Sequence, residues 1–332
     1  MGSDKQSKVS ILMYHFVREQ GRGMYPGIKG VDVKEFKRQV DYYSANYDMV
    51  SVDNVMDALS GRSKLPDNAA LFTFDDGYLD HFVNVFPILK EKQIQGVFFP
   101  SAAPVLEGKL LDDDKVQLCI GATSKTKNIT ESMISILDGI KDNAIPKNFR
   151  KYYDKFSSAS QYDDKDTVFI KCMLQRELPI QIRTEICKKL FDEFVGNNET
   201  QAAKDLYMNI DQLIEMRNAG MHIGGHGYSH KWTTPLSFIE KTKEIDFTVT
   251  MLDAIGSCND VRTYAHPHGD YDTEMIALLK NKGFKLAFAA APHSYKLESS
   301  NRMFLPRFYP EWNIGAEQDC PDLSDFSCSP NF

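Results

Sequence analysis

The chain lacks any apolar run as long as the roughly 18 residues that a membrane-spanning helix needs, so no such helix is expected. It also lacks a long run of lysine and arginine. Its 39 basic residues stand against 46 acidic ones, a net charge of −7. Neither a nucleic acid nor an anionic membrane surface is an expected partner of such a chain. The six cysteines, at 119, 172, 187, 258, 320 and 328, include no Cys-x-x-Cys pair. Cys320 and Cys328 are near enough to close a small loop, but nothing demands it, and free thiols in a reducing compartment are expected. The first residues, MGSDKQSKVS, are polar and run straight into a strand-like segment. That start has no apolar core of a secretory signal, so a cytoplasmic location is the expectation. No repeat or low-complexity segment occurs.

What is present reads as an ordinary globular chain. At 332 residues it can bury a core without disulfide staples. Its 42% hydrophobic and 26% charged residues exclude disordered, collagenous and coiled-coil classes. Short apolar runs predict strands at 9–14, 49–52, 69–74, 96–99, 221–224, 261–265, 284–290 and 302–308. Between them lie helical patterns. Asp32 and Glu35 read as a capping box ahead of Phe36, Val40, Tyr43 and Tyr47. Asp53 reads as the cap of a helix ending at Gly61, and Pro87 fits the first turn of another. Further helices are expected at 211–219, 235–255 and 272–282. Strand–helix alternation of this kind predicts an α/β fold with parallel strands and crossover helices. The stretch 105–208 is poor in strand signals, and 180–194 has clear helical periodicity behind Pro179. It is expected to be a mostly helical insertion within one domain spanning 9–332.

Five features offer chemistry. The strand at 69–74 runs into Asp75-Asp76-Gly77, two adjacent carboxylates that are costly to bury without partners. Neighbouring residues of a strand face opposite sides, so one carboxylate can bind a metal while the other acts as a base. Taken alone, a surface Asp-Asp-Gly turn explains the motif equally well. His226-Gly-Tyr-Ser-His230 puts two imidazoles four residues apart. With one carboxylate they form a set suited to Zn²⁺ or another divalent transition metal, with positions left open. An incidental histidine-rich patch, with His222, is the plainer alternative. The turn at Pro267, His268 and Gly269 exposes backbone N–H groups suited to an oxyanion. His15 follows the first strand directly, and Arg307 lies in the last. Each is unremarkable alone. Together, Asp75, Asp76, His15, His226, Pro267 and Arg307 all stand at or just past the C-terminal ends of expected strands. In a parallel barrel those ends share one mouth, where active sites are built.

These motifs together resemble the polysaccharide deacetylases of carbohydrate esterase family four, the NodB-homology domain. The resemblance covers about 9–103 and 209–310. It implies a distorted (β/α) barrel of about seven parallel strands. The family usually has Ser or Thr where Gly227 stands; its hydroxyl helps orient the loop, so no ligand is lost. The family's late Leu-x-His motif, source of its general acid, is absent, since no histidine follows Pro310. Leu12-Met-Tyr-His15 instead resembles the start of the circularly arranged subgroup that includes the poly-N-acetylglucosamine deacetylases, where an N-terminal Tyr-His takes that role.

The resemblance therefore implies Asp75 as general base and His15 as general acid, a histidine near its usual pKa of about 6.5. It implies Asp76, His226 and His230 as ligands of one divalent metal, Zn²⁺ first, with Co²⁺, Ni²⁺, Fe²⁺ and Mn²⁺ as alternatives. It implies His268 as oxyanion donor through its backbone and Arg307 as tether of Asp75. His266, His268 and His293 are the rivals of His15. The implied activity is removal of N-acetyl groups from an amino-sugar glycan. A deformylase, deacetylase or esterase of a small or lipid-linked sugar, and an inactive glycan-binding module, are the alternatives. Tyr228, Trp232, Tyr264, Tyr271, Tyr309 and Trp312 are candidates for stacking on sugar rings.

Overall fold

The apolar runs become strands covered on both faces, as parallel sheets require. The structure is a computed structural model describing residues 8–23, 25–140, 149–159, 163–257, 261–290, 295–296 and 301–310. Seven strands carry the architecture: β1 (Lys8–Tyr14), β2 (Ala69–Asp76), β3 (Gly96–Pro100), β4 (His222–Ile223), β5 (Arg262–Ala265), β6 (Phe284–Ala290) and β7 (Leu305–Arg307). β1 to β4 pair in sequence, all parallel, and so do β5 to β7. Two parallel bridges join the groups. Gly225, just past β4, pairs with Tyr264 of β5, and Leu12 of β1 pairs with Phe308, just past β7. The ring is thereby closed as a distorted (β/α) barrel in chain order. Gly225 is required at its seam, because a Cβ there would lie 2.1 Å from the Thr248 methyl.

Alternation along the strands sorts the core. Val9, Ile11, Leu71, Val97, Phe99, Leu286, Phe288 and Leu305 form one buried cluster. Leu12, Tyr14, Phe72, Phe74, Phe98 and Ala287 form another with helix residues such as Phe36, Leu89 and Leu252. The first set lines the barrel and the second faces the helices. On this parity Thr73 and Asp75 continue the inward row of β2, and Arg307 continues that of β7.

Three caps differ from expectation. Ser51, not Asp53, caps helix Val52–Leu59, in a capping box with Asn54. Asp32 caps helix Val33–Asn46 by accepting from Lys34 N–H. Glu35, however, is drawn to Arg38 and Gln39 and leaves the box unformed. The helix expected from 235 starts at Phe238, where Ser237 and Glu240 make the box.

The chain divides into two compact units. The barrel unit takes the described residues of Met1–Arg18, Gly30–Lys109 and Gln201–Glu317; the second takes those of Glu19–Lys29 and Leu110–Thr200. The second unit is built on helices Asp112–Ala122, Thr126–Gly139, Phe149–Phe156, Lys165–Cys172 and Ile180–Phe194. No described residue between 110 and 200 lies in a strand. Cys119 and Cys187 are buried thiols within it, and burial raises the first to about 12. The stretches 105–109 and 201–208 group with the barrel unit instead.

Gly77 ends β2 with φ +74°, and a Cβ there would meet the Pro100 Cβ at 2.6 Å. Gly77→Ala should therefore destabilise the barrel unit by about 2 kcal/mol or more, from left-handed strain plus overpacking. An unchanged denaturation midpoint would contradict this account of the turn.

Candidate active site

The inward row of β2 meets that of β7 in a buried ion pair. Arg307 Nη1 and Nη2 each donate to one oxygen of Asp75 at 2.6 Å, and Nη1 also reaches Thr73 Oγ1 at 3.1 Å. Asp75 and Arg307 are 2% and 1% exposed. Burial alone would raise the Asp75 pKa. The Arg307 charge and its hydrogen bonds, with His226 and His15 nearby, outweigh that and hold the carboxyl well below the usual range.

Asp76 has the opposite parity and leaves the strand at φ +70°. Its Oδ1 stands 3.5 Å from His226 Nε2 and 3.5 Å from His230 Nε2. His226 Nδ1–H donates to the Ala265 carbonyl at 2.8 Å, which leaves Nε2 as the lone-pair nitrogen. Burial pushes its pKa well below the ordinary value, so the ring is neutral, as a metal ligand must be. Two ligands held about 2.0–2.1 Å from a tetrahedral ion stand about 3.4 Å apart. The observed separations fit that spacing, and a two-histidine, one-carboxylate set suits a divalent transition metal. All three residues are buried.

His15 is half-buried just past β1. Its carbonyl accepts from His81 Nε2 at 2.7 Å. The adjoining loop is pinned by Asn84 to the Val17 carbonyl at 2.8 Å and by the Arg18–Asp80 pair at 2.8 Å. His81 and Asn84 belong to the π-helical turn His81–Val85. Tyr309, 40% exposed, lies with its hydroxyl 3.5 Å from His15 Nδ1. The expectation of a histidine near pKa 6.5 is corrected here: burial lowers His15 to about 4, against the opposing pull of Asp75.

His268 sits at φ +57° in the turn Pro267–Gly269. Its ring stacks on Trp232 at 4.5 Å, and Nε2 donates to the His230 carbonyl at 3.2 Å. The other histidines are accounted for by the core. His222 bonds Thr263 Oγ1 at 2.9 Å, and His266 donates to the Met303 carbonyl at 2.9 Å. Tyr264 is 1% exposed and so is closed to a sugar ring. His293 and Trp312 fall outside the described residues. Sequence reasoning passed over Thr73, His81 and Glu244. The last accepts from the N–H groups of Tyr228 and Ser229, inside the His226–His230 loop. His81 and Glu244 gave no signal because each acts on a segment distant from it in the chain, and Thr73 because its partner Arg307 lies in the last strand.

Fold and donor set define a (β/α) barrel with a two-histidine, one-carboxylate centre at its strand C-termini. Comparison with known proteins agrees on the fold. Residues 194–287, which hold the second and third motifs, match the family model described as polysaccharide deacetylase. YxkH of Bacillus subtilis (strain 168) is 29% identical over 98 residues, 29% of this chain and 33% of that protein. The poly-beta-1,6-N-acetyl-D-glucosamine N-deacetylase of Escherichia coli (strain K12) is 41% identical over 54 residues, 16% of this chain and 8% of that one. The matches thus span a third or less of these curated relatives. IcaB from Ammonifex degensii superposes with TM-score 0.54 at 18% identity, over 92% of this chain and 94% of that one. The Streptococcus pyogenes deacetylase PplD, solved with acetate, gives 0.56 at 16% identity, over 93% and 95%. At those identities the two structures speak for the fold. The chain is similar to the polysaccharide deacetylases over residues 194–287, where two of its three motifs lie.

Two outcomes follow from the charges. Arg307→Ala strands a buried carboxylate and should cost about 3–5 kcal/mol, whereas Asp75→Leu with Arg307→Met should cost less than either single change. A double-mutant cycle in denaturant measures this, and additive losses would refute the coupling. His81, His222 and His266 are each lowered to about 4, chiefly by burial. Their folded values lie below the unfolded value near 6.5, so the neutral forms stabilise fully above that pH. That contribution is lost as pH falls towards 4, at about 1.4 kcal/mol per pH unit for each histidine. Chemical denaturation of chelator-treated protein between pH 7 and 4 checks the slope; a flat profile would contradict it.

Proposed function

We propose that the protein is a metal-dependent carbohydrate N-deacetylase, removing N-acetyl groups from an amino-sugar glycan. The observation that carries this reading is the pair of 3.5 Å separations joining Asp76 Oδ1 to His226 and His230, beside the Asp75–Arg307 pair. The relative in Escherichia coli, named as a poly-beta-1,6-N-acetyl-D-glucosamine N-deacetylase, supports a poly-N-acetylglucosamine-type substrate. In our reading Asp76, His226 and His230 hold one divalent ion, Zn²⁺ before Co²⁺, Ni²⁺, Fe²⁺ or Mn²⁺. Such an ion supplies Lewis acidity, polarising an amide carbonyl and acidifying the attacking water.

The chain's own groups do the rest. Asp75 remains ionised and accepts the water proton, and Arg307 fixes its orientation while keeping it from resting protonated. The His268 backbone N–H is assigned to the developing oxyanion. His15 donates a proton to the departing amine, without which the C–N bond does not break productively. Because His15 rests neutral at pH 7, its proton is acquired within the cycle, from the water by way of Asp75. The atoms balance: water and amide give acetate and a free amino sugar, and the water's proton ends on the amine. The half-buried Trp232 and exposed Tyr309 are the remaining ring-stacking candidates on the described barrel mouth, together with Tyr228 and Tyr271.

The test is metal content plus acetate release from N-acetylglucosamine oligomers. Wild type should carry about one metal per chain and release acetate, and His230→Ala should do neither. His15→Ala should keep its metal and lose roughly 10²–10⁴-fold in kcat. Full metal occupancy in His230→Ala defeats the ligand assignment. Normal turnover in His15→Ala, with loss in His266→Ala or His268→Ala instead, defeats the assignment of the acid.

A further inference from the structure

The loop from His226 to His230 is in strained backbone. Gly227 lies at φ +75° and His230 at φ +53°, the left-handed region that residues with a Cβ avoid. Such a loop holds its shape only if its surroundings over-determine it. On one side the end of β3 does so. Ala102 and Ala103 N–H donate to the Gly227 and Tyr228 carbonyls at 2.9 and 2.8 Å, and Ser101 Oγ donates to the His226 carbonyl at 3.1 Å. That leaves the N–H groups that point the other way.

They meet one buried carboxylate. Glu244, in helix Phe238–Ile255, is 7% exposed. Its Oε2 accepts from Tyr228 N–H at 2.7 Å and from Ser229 N–H at 2.8 Å, and its Oε1 accepts from the Ser229 hydroxyl at 2.5 Å. A Cβ at position 227 would lie 3.1 Å from that same Oε2, so glycine there gives the carboxylate its room. Two of the three residues between the histidines are thus fastened by a single side chain. The helix holding it is itself capped by Ser237 and Glu240.

We infer that Glu244 is the positioning residue of the metal-ligand loop, setting the distance between the His226 and His230 nitrogens. This rests on the metal-site reading above. It predicts an effect on metal affinity itself, since groups that orient ligands typically change it by about 10–100-fold. Glu244→Gln keeps one accepting oxygen and presents an amide to the rest; Glu244→Ala leaves two buried N–H groups without an acceptor.

The experiment titrates the chelator-stripped protein with Zn²⁺ and Co²⁺ against a chromophoric chelator, reading the Co²⁺ absorption bands as well as Kd. Wild type should bind most tightly, Glu244→Gln more weakly, and Glu244→Ala by at least about tenfold less, with altered Co²⁺ bands. Leu252→Ala, a core change in the same helix, is the stability control. It should lower Tm and leave Kd and the bands unchanged. If wild type binds no metal, the metal-site reading itself falls. If wild type binds and both Glu244 variants match it, or if Leu252→Ala weakens binding equally, the positioning role is overturned.

Discussion

Everything at the barrel mouth is arranged around the salt bridge between Asp75 and Arg307. The two residues are 232 positions apart in sequence and almost wholly excluded from solvent. Neither charge is tolerable in that place alone, because desolvating an isolated ion costs far more than folding can spare. The guanidinium meets the carboxylate in its bidentate geometry, with Thr73 taking up a further N–H. Since β2 and β7 lie on either side of β1 in the ring, the pair bridges over that strand inside the barrel. It is also the main reason Asp75 stays ionised.

Strain gathers around the same mouth. Among the described residues, the non-glycine positions with positive φ are Asp76, Gln93, His230 and His268. Three of those four belong to the candidate site. A chain folded for stability alone has little reason to put left-handed backbone at a carboxylate and two histidines. Here each such residue is held by neighbours: the Asp76–Gly77 turn by the close approach of Pro100, His230 by His268, and the intervening loop by Glu244. The geometry of the candidate site is thus held by the scaffold rather than by the loop itself.

The neutral state of the buried histidines follows from the same apolar enclosure. His226 is held neutral by it, with Nε2 as its lone-pair nitrogen. For His15 burial outweighs the opposing pull of Asp75 and lowers its pKa to about 4, below the ordinary histidine value.

The sequence alone determined a good deal. Parallel strands could be read from the alternation of apolar runs with helical periods, since one strand's period and one helix's period differ by simple geometry. Asp75, Asp76, His226 and His230 were legible because each motif is local and sits at a strand end. The helix Ile180–Phe194 lies where its periodicity put it. Other features were decided only by the tertiary structure. Arg307 carried no local signal and was tied to Asp75 only through the family resemblance; barrel closure is what brings the two together. Glu244 was one more acidic residue on a helix until that helix packed under the Tyr228 and Ser229 amides. Ser51 displaced Asp53 as a cap, and Glu35 turned to Arg38, because a cap is settled by competing partners that a pattern of residue types does not weigh. The lowering of His15 likewise depends on burial, a property of the assembled fold. Local periodicity is written in neighbouring residues, whereas partnership between distant charges and the desolvation of a single ring exist only once the ring of strands has closed.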